Sequence, residues 1–391
     1  MKILISGVGI AGPTLAHWLL RHGGFEVTLV ESAPQLRSGG YVIDFWGSGH
    51  DIAEEMGLLP ALRDRGYRVR ELRMVGRDGH RVGGFPAEAI RRAAGGSWLS
   101  IPRAELASTI FRSIEGRVEV LFGDSIVALE QRPEGVDVAF EHAQPRSFDL
   151  VIGADGTHSQ VRHLAFGADD GFEKYLGLQF AAFELPGYRP RDEDVYVIYN
   201  QVRQQTDRFS LRGDRTLFLF IFAHPSPDVP ADLEEGKALL RRRFSRAGWE
   251  CPQILARLDE AESWYLDRVS QIRMVRWSTG RVGLVGDSAF APSFLAGQGS
   301  ALAMLGAYIL AGELKLARDD PHRALARYHQ RLAAFMSRKQ QSAVSFADNF
   351  APQSRLGVFL KNHLSSTLAL PFVAQGIFRP LMRDRIVRPA Y

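Results

Sequence analysis

Acidic residues follow glycine-containing turns at three places along this 391-residue chain. The first turn, at residues 7–12, has the spacing GxGxxG, and Glu31 ends the next apolar run. The second turn contains Asp155 and the third contains Asp287. Glycines let backbone N–H groups approach a pyrophosphate closely, and a carboxylate accepts hydrogen bonds from ribose hydroxyls. The three turns therefore predict a bound nucleotide.

The first turn lies between two elements of different type. Lys2–Ser6 is a short apolar run typical of a strand, and apolar residues recur at helical spacing after the turn. In such a turn Gly7 permits the tight bend, Gly9 admits the pyrophosphate, and Gly12 lets the helix pack on the strand. Glu31, at the end of the second strand, favours a ribose without a 2′-phosphate. A plain βαβ unit remains the alternative, because GxGxxG alone is a weak signal.

The second and third turns also follow strand-like apolar runs. The second run leads into Asp155 and then into a predicted helix start. The third run, at residues 280–286, ends at Asp287, and a loop and a helix rich in small residues at 300–316 come next. The order of the three motifs along one chain indicates a bound flavin nucleotide.

Composition restricts the class of protein. The chain is 46% hydrophobic and 24% charged with a net charge of +4, as in ordinary globular proteins, and its arginines are dispersed. We therefore expect no nucleic-acid partner. Cys251 is the single cysteine, which excludes an intrachain disulfide and a cysteine-based metal site and fits a cytoplasmic location. No metal and no membrane span are predicted, since no uninterrupted apolar stretch is long enough to cross a bilayer. The oligomeric state is not determined, and a monomer is compatible with the sequence.

The segment between the second and third motifs changes in pattern. Apolar runs at residues 176–183, 194–199, 208–211 and 216–222 are separated by turn residues and predict an antiparallel sheet. Side chains of this sheet near the flavin, together with the loop after the third motif, are candidates for a pocket that holds a flat substrate. The candidates are Tyr199, Phe209, Arg212, Phe220 and Phe294. For each of the sheet residues, ordinary sheet packing is the alternative role.

At these motifs the chain resembles the group A FAD-dependent monooxygenases, the family with the 4-hydroxybenzoate hydroxylase fold. The resemblance covers about residues 1 to 340 and includes Gly153-Ala-Asp-Gly with Arg162, and Gly286-Asp287 with Gly297-Gln-Gly299. Within the family, residues 37–40, 47–58 and 101–103 are most similar to tetracycline-inactivating monooxygenases and actinobacterial hydroxylases of aromatic polyketides.

The resemblance implies an α/β fold, in which a Rossmann-type FAD-binding domain carries an inserted antiparallel-sheet substrate domain and C-terminal helices. We expect residues 1–70, 96–172 and 275–320 to form the FAD-binding domain. Residues 71–95 and 173–274 are assigned to the substrate-binding sheet domain, and residues 321–391 to the C-terminal helical region.

The residues expected to bind the cofactor follow from the motifs and from the resemblance. They are Gly7, Gly9, Ala11, Gly12, Glu31, Arg37, Asp44, Arg103, Asp155, Gly286, Asp287, Gly297, Gln298, Gly299 and Ser300. Arg37 is also a candidate contact for the nicotinamide nucleotide, and Asp44 either touches cofactor or substrate or caps a turn before Gly47. Phe290 and Ala301 stand where many family members have histidine and asparagine. No residue is assigned a catalytic role.

The resemblance further implies the reaction. NADPH or NADH reduces FAD, O2 forms a C4a-hydroperoxyflavin, and the distal oxygen is transferred to an electron-rich aromatic or enolic, polycyclic small molecule in antibiotic biosynthesis or inactivation. An apolar wall must exclude water, and Phe290, Phe294 and Leu295 fit such a wall.

Several alternatives stay open. A flavin-dependent reductase or dehydrogenase of the same fold and Baeyer–Villiger oxygenation are both compatible with the motifs. A halogenase is disfavoured because its Trp-x-Trp-x-Ile-Pro signature is absent, and a non-catalytic scaffold because the second and third motifs are intact. The sequence does not determine the substrate, the choice between NADH and NADPH, or the residue that handles substrate protons.

Overall fold

The computed structural model describes residues 1–37, 39–167, 171–382, 386 and 388–391, with the side chains of 345–349 and 379–381 left aside. Ser38, which is part of the resemblance at residues 37–40, and residues 168–170 of the expected FAD-binding domain lie outside this described part of the chain.

The strands are β1 (Lys2–Ser6), β2 (Glu26–Glu31), β3 (Val42–Trp46), β4 (Glu71–Val75), β5 (Arg81–Pro86), β6 (Trp98–Pro102), β7 (Glu119–Phe122), β8 (Ile126–Gln131), β9 (Val136–Phe140), β10 (Arg146–Phe148), β11 (Leu150–Gly153), β12 (Glu173–Pro186), β13 (Val195–Gln201), β14 (Gln204–Leu211), β15 (Arg215–Ala223), β16 (Glu262–Ile272), β17 (Ser278–Thr279) and β18 (Val282–Leu284). The helices are α1 (Ala11–His22), α2 (Ser48–Glu55), α3 (Leu59–Arg65), α4 (Glu88–Ala93), α5 (Arg103–Arg112), α6 (Gln160–Phe166), α7 (Leu233–Phe244), α8 (Cys251–Ala256), α9 (Asp287–Phe290), α10 (Gly299–Leu316), α11 (Pro321–Phe350), α12 (Arg355–Leu364) and α13 (Pro371–Met382).

The first sheet has the strand order β17-β18-β11-β1-β2-β7 and is parallel except at its β17–β18 edge. Ile3, Leu4 and Ile5 of the central strand are fully buried, because helices cover both faces of a parallel sheet. Ser6 pairs with Gly153 on one side and Val30 on the other. The carboxyl ends of β1, β2, β11 and β18 therefore lie at one edge, and this edge brings the three glycine motifs together.

The second sheet has the order β16-β12-β15-β14-β13-β4-β5. It is antiparallel, as predicted, except that β13 pairs with β4 in parallel. The outer face of this sheet is covered by α7 and α8, which bury Phe183, Phe218 and Phe220. The inner face, which bears Phe180, Phe209 and Leu219, packs towards β3 and the loop before α10.

The C-terminal segment is helical, as expected. It consists of α11, of 30 residues, followed by α12 and α13. Helix α12 packs against β5 and β13, and α13 packs against α4. These helices therefore close one side of the inner face of the second sheet.

Helix α10 is the most apolar helix in the described part of the chain that has the length to cross a membrane. Its 18-residue window satisfies that test by length and composition only, and 78% of the window is buried inside the protein. Its neighbours are α1, α2 and α11. The burial accounts for its apolar composition, which therefore indicates a core helix.

Candidate functional site

The glycines of the first motif are required by close backbone contacts. Gly7 has φ +104°, and a Cβ atom there would lie 2.5 Å from the carbonyl oxygen of Ala154. A Cβ atom at Gly12 would lie 2.0 Å from the carbonyl oxygen of Gly7. The start of α1 therefore packs closely on the end of β1 at Gly12, and the first motif contacts the second at Gly7 and Ala154. The space above Gly9 is open, since the nearest atom to a Cβ there is Arg103 Nη2 at 3.9 Å.

Glu31 ends β2 beside this turn. Its Oε2 accepts a hydrogen bond from the backbone N–H of Val8 at 2.9 Å, and its Oε1 accepts one from Ala33 at 3.0 Å. A carboxylate has about four acceptor positions, so capacity for ribose hydroxyls remains. Arg37 Nη2 lies 3.6 Å from Glu31 Oε1 and its side chain is 75% exposed. The structure therefore places Arg37 at the outer rim of the groove, next to Glu31.

The Asp-Gly turn is held from inside by its own carboxylate. Asp155 accepts hydrogen bonds from Ser159 Oγ at 2.5 Å and from the backbone N–H of Val161 at 3.0 Å, which caps the start of α6. Burial raises the pKa of Asp155. Both observed bonds of Asp155 shape the turn, and its contact with a cofactor stays a prediction.

Asp287 and Arg103 face the same groove without protein partners. Asp287 begins α9 directly after Gly286, whose φ is +73°. In the described part of the chain, neither its carboxylate nor the guanidinium of Arg103 forms a hydrogen bond or an ion pair closer than 4 Å. Burial raises the pKa of Asp287, and the charge of Arg103 opposes that shift. An unpaired buried carboxylate is costly, so this groove is built to receive hydrogen-bond donors.

The N-terminus of α10 closes the same groove. A Cβ atom at Gly299 would lie 3.6 Å from Asp287 Oδ1, and Gln298 precedes the helix without capping it through its side chain. Gly297 adopts a left-handed conformation with φ +61°. Gly299 and Ser300 thus present the positive end of an 18-residue helix towards the groove. This end of the helix would stabilise negative charge on a group bound in the groove.

Strand β3 crosses the groove opposite this helix. Asp44 lies in the middle of β3 and accepts a hydrogen bond from Ser100 Oγ at 2.5 Å, so its bond is to the neighbouring strand β6 and the suggested turn cap before Gly47 is wrong. Burial raises the pKa of Asp44 to about 6. Trp46 lies 3.5 Å from the position of a Cβ at Gly297, and its buried Nε1 has no acceptor among the described residues.

An aromatic wall extends from the groove to the second sheet. The rings of Phe180 and Phe294 stack at 4.1 Å, and Tyr41 meets Phe294 edge-on at 4.8 Å. Phe294 therefore belongs to an aromatic cluster with Tyr41 and Phe180, and its part in excluding water stays a prediction. Leu295 is 4% exposed beneath this wall, whereas Phe290 is 2% exposed against Trp277 at 4.7 Å and belongs to the core of the first sheet.

The other substrate candidates are distributed over both faces of the second sheet. Tyr199 and Phe220 lie on the outer face under α7 and α8, and we do not retain them as substrate candidates. Phe209 is on the inner face but is 2% exposed beneath Tyr67 and Tyr196. Arg212 donates to the backbone carbonyls of residues 65 and 66 and lines a separate surface cavity of about 660 Å³.

Four residues of the inner cleft were not anticipated from the sequence. Tyr41, just before β3, and Tyr196 of β13 line the cleft, and Asp207 and Lys361 bring charge to the inner face. Alternation along β14 places Asp207 on the same face as Phe209, which is a signal that sequence inspection could have used. The position of Lys361 depends on the packing of α12, which no local pattern reveals.

The geometry of the groove fits FAD. Arg103 above Gly9 matches the pyrophosphate, Glu31 the adenosine ribose, and Asp287 the hydroxyls of a ribityl chain. The N-terminus of α10 matches the electron-accepting edge of the flavin ring. Among the described residues, no group of three or more His, Cys, Asp or Glu side chains is arranged to hold a metal ion.

Comparisons with known proteins agree with this assignment. The family model described as an FAD binding domain matches residues 1–343. An uncharacterised protein of Mycobacterium tuberculosis (strain ATCC 25618 / H37Rv) is 40% identical over 345 residues, which cover 86% of this chain and 91% of the relative. A flavin-dependent monooxygenase of Legionella longbeachae is 32% identical over 388 residues, covering 97% and 98%.

A solved structure shows the same fold. The crystal structure of tetracycline destructase Tet(51) is 31% identical, with a TM-score of 0.84, and the match covers 100% of this chain and 99% of that one. The predicted fold class and the predicted family resemblance are both confirmed by these comparisons.

Proposed function

The chain belongs to the FAD binding domain family of flavin-dependent monooxygenases, and from this premise we propose that it oxygenates an electron-rich polycyclic phenol or enol with electrons from NAD(P)H and oxygen from O2. The observation that carries the proposal is the pair Asp287 and Arg103, which face one groove unpaired and fit the ribityl and pyrophosphate groups of FAD. When bound, FAD supplies the electron transfer and the activation of oxygen.

The protein residues have three tasks in this scheme. Glu31, Arg103 and Asp287 hold the cofactor, and the start of α10 stabilises negative charge on the ring. The wall of Tyr41, Phe180 and Phe294 excludes water from the reacting atoms. The substrate is oriented between this wall and the inner face of the second sheet.

The aromatic wall favours a flat and extended substrate. Stacked and edge-on rings provide a planar apolar surface, which suits fused aromatic rings. Tetracycline destructases are among the proteins that share this fold at about 30% identity. We therefore propose fused-ring phenols and enols, with tetracycline as the first compound to test.

NAD(P)H is proposed to bind transiently at the rim of the groove. Arg37 is exposed beside Glu31, where its guanidinium can bind a phosphate of NAD(P)H transiently. The enzyme is proposed to act in the cytoplasm, where NADH and NADPH are available.

The proposal is tested by product analysis under ¹⁸O2. FAD-loaded protein is supplied with NADH or NADPH and with a panel of fused-ring phenols and enols that includes tetracycline. We expect one labelled oxygen atom in a product, seen by mass spectrometry, and substrate-dependent oxidation of the nicotinamide. Fragmentation of the product separates ring hydroxylation from insertion into a carbon–carbon bond.

The control is the Asp287→Ala variant, which should form product in proportion to its remaining FAD. Nicotinamide oxidation that proceeds without O2 and reduces an alkene would instead assign a reductase. A panel that yields no labelled product, with FAD present and reduced, would refute the proposed substrate class.

A further inference from the structure

Asp207 places a carboxylate on the apolar inner face of the second sheet. In the strand register it lies beside Ile198 of β13 and Leu219 of β15. Along its own strand, Phe209 follows on the same face and Gln205 precedes it. A charge at the centre of such a face is unfavourable unless it has partners or a ligand.

The side chains level with Asp207 on the neighbouring strands are partly accessible, whereas the inner-face side chains before and after Asp207 on β14 are buried. Ile198, Asp207 and Leu219 each retain part of their accessible surface. Phe209 and Gln205, on the flanking rows, are 2% and 4% exposed. Because β3 and α12 cover this face, the accessible strip is the wall of an internal cleft.

Asp207 accepts hydrogen bonds from a neutral amide and has no cationic side chain in direct contact among the described residues. Gln205 Nε2 donates to both carboxylate oxygens of Asp207 at 2.9 and 2.8 Å. Gln205 Oε1 accepts from Lys361 Nζ at 2.7 Å, and Lys361 also donates to Asn200 Oδ1 at 2.7 Å. In the described part of the chain no ion pair within 4 Å joins Asp207 to Lys361 or to another base.

Each member of this set has unused bonding capacity. The ammonium of Lys361 has three N–H donors and uses two on amide oxygens. The carboxylate of Asp207 accepts from one amide group, although it has about four acceptor positions. The cleft therefore presents an acceptor and a cationic donor, separated by the side chain of Gln205.

The same cleft reaches the flavin end of the groove. Burial raises the pKa of Tyr196 well above its ordinary value, and the nearby charges of Asp44 and Asp207 raise it further. Asp44 and Trp46 belong to β3, and Trp46 lies next to Gly297. Polar side chains of β14, β13 and β3 are thus spaced from Asp207 towards the loop before α10.

We infer that Asp207 and Lys361 form a recognition site for two neighbouring oxygens of a fused-ring substrate, a hydroxyl and an adjacent carbonyl or enolate. Asp207 accepts the hydrogen bond of the hydroxyl, and Lys361 donates to the second oxygen. This inference rests on the proposed function, because it specifies which phenols and enols the oxygenase accepts. A hydrogen bond from the hydroxyl to a carboxylate also increases the electron density of the ring.

Titration of the surrounding groups supports this role. Burial raises the pKa of Asp207 and lowers that of Lys361, and each charge opposes the shift of the other. The other titratable groups facing the cleft are Asp44, whose pKa burial raises to about 6, and Tyr41, Tyr67 and Tyr196, whose pKa values burial raises above their ordinary value, so the three phenols stay neutral. The carboxylate of Asp207 is therefore lost on mild acidification, and hydroxyl recognition should weaken with it.

The test compares two probes on FAD-loaded protein without NAD(P)H. Alizarin carries two adjacent hydroxyls beside a carbonyl, and anthraquinone has the same rings without hydroxyls. Dissociation constants are measured by difference absorbance. The wild type should bind alizarin at least tenfold more tightly than anthraquinone, and Asp207→Asn and Lys361→Met should each remove most of this preference while leaving anthraquinone binding unchanged.

Matched controls lie on the same sheet. Glu262→Gln and Lys174→Met change exposed residues of β16 and β12 and should keep the preference. If either test variant folds poorly, the wild type alone decides, since its preference should fall as pH is lowered through the titration of Asp207. Asp207→Glu and Lys361→Arg should restore part of the preference.

The outcomes separate this inference from the proposed function. FAD content and reduction of FAD by NAD(P)H are measured for every variant. A preference that is absent in the wild type, or that survives in both variants and at low pH, overturns the recognition site even when FAD is bound and reduced. Loss of FAD binding or reduction in the wild type would instead overturn the proposed function.

Discussion

The buried guanidinium of Arg162 donates a hydrogen bond to the backbone carbonyl of Ser288 over 3.0 Å. Arg162 also donates to the carbonyl of Thr157 at 2.6 Å, and Ser288 Oγ donates to the carbonyl of Gly153 at 2.7 Å. These bonds connect the Asp-Gly turn to the Gly-Asp turn. The spacing of the two cofactor motifs is therefore set by a side chain that does not face the groove.

Replacing Arg162 with methionine should lower the free energy of unfolding by about 3 kcal/mol, because a buried carbonyl group and a partly buried one lose their donor. FAD affinity should fall as well, since the two turns lose their connection. Denaturant unfolding and flavin fluorescence titration measure the two effects. The control is Arg276→Met at an exposed position, and equal stability of the two variants would contradict the structural role.

Asp287→Ala should weaken FAD binding by about 2 kcal/mol, roughly 30-fold, through loss of an acceptor for a ribityl hydroxyl. The fold should be retained, because the carboxylate makes no hydrogen bond with described residues and its burial is unfavourable. FAD titration and circular dichroism check both statements. Asp64→Ala, an exposed control, should bind FAD normally, and normal binding by Asp287→Ala would remove Asp287 from the site.

The meeting of the three motifs could be predicted because parallel strands place their carboxyl ends at one edge of a sheet. The apolar, strand-like runs that lead into Glu31, Asp155 and Asp287 were sufficient for that step. The contacts of Arg162 could not be read in the same way, since its partners are backbone carbonyls brought close by folding.

The substrate side was harder to predict because β15 is apolar on both faces. Phe218, Phe220 and Phe222 alternate with leucine and isoleucine, so periodicity does not show which set faces the cleft. Helices α7 and α8 cover the face that bears Phe220, so the prediction of Phe220 as a pocket residue is wrong. Lys361 reaches the cleft only through the packing of a helix that follows β14 by about 150 residues.

Asp44→Asn should change the pH dependence of stability. Burial raises the folded pKa of Asp44 to about 6, above the value of 3.8 for an unburied group, so the protein loses stability as pH rises from 3.8 to about 6. The amide of the variant does not ionise. The free energy of unfolding of Asp44→Asn minus that of the wild type should therefore be about 1 kcal/mol larger at pH 8 than at pH 5.

This comparison uses urea unfolding at both pH values with saturating FAD. Asp64→Asn is the control, because its carboxylate is exposed and has no described partner. A difference between wild type and Asp44→Asn that is the same at pH 5 and pH 8 would show that Asp44 is not buried as described.

Phe294→Ala should make the enzyme release more H2O2 for each NAD(P)H consumed. The ring of Phe294 stacks on Phe180 and meets Tyr41 edge-on, so its removal opens the wall that separates the flavin loop from water. Thermal stability should fall only modestly, since the ring is part-buried. Phe294→Leu restores apolar volume and should release an intermediate amount of H2O2, while Phe372→Ala changes a ring that is 73% exposed and should resemble the wild type.

Peroxide is measured by a coupled peroxidase assay together with nicotinamide oxidation. If Phe294→Ala and the wild type release the same fraction of consumed electrons as H2O2, with equal FAD content, the wall does not protect the reaction and another surface of the cleft must exclude water.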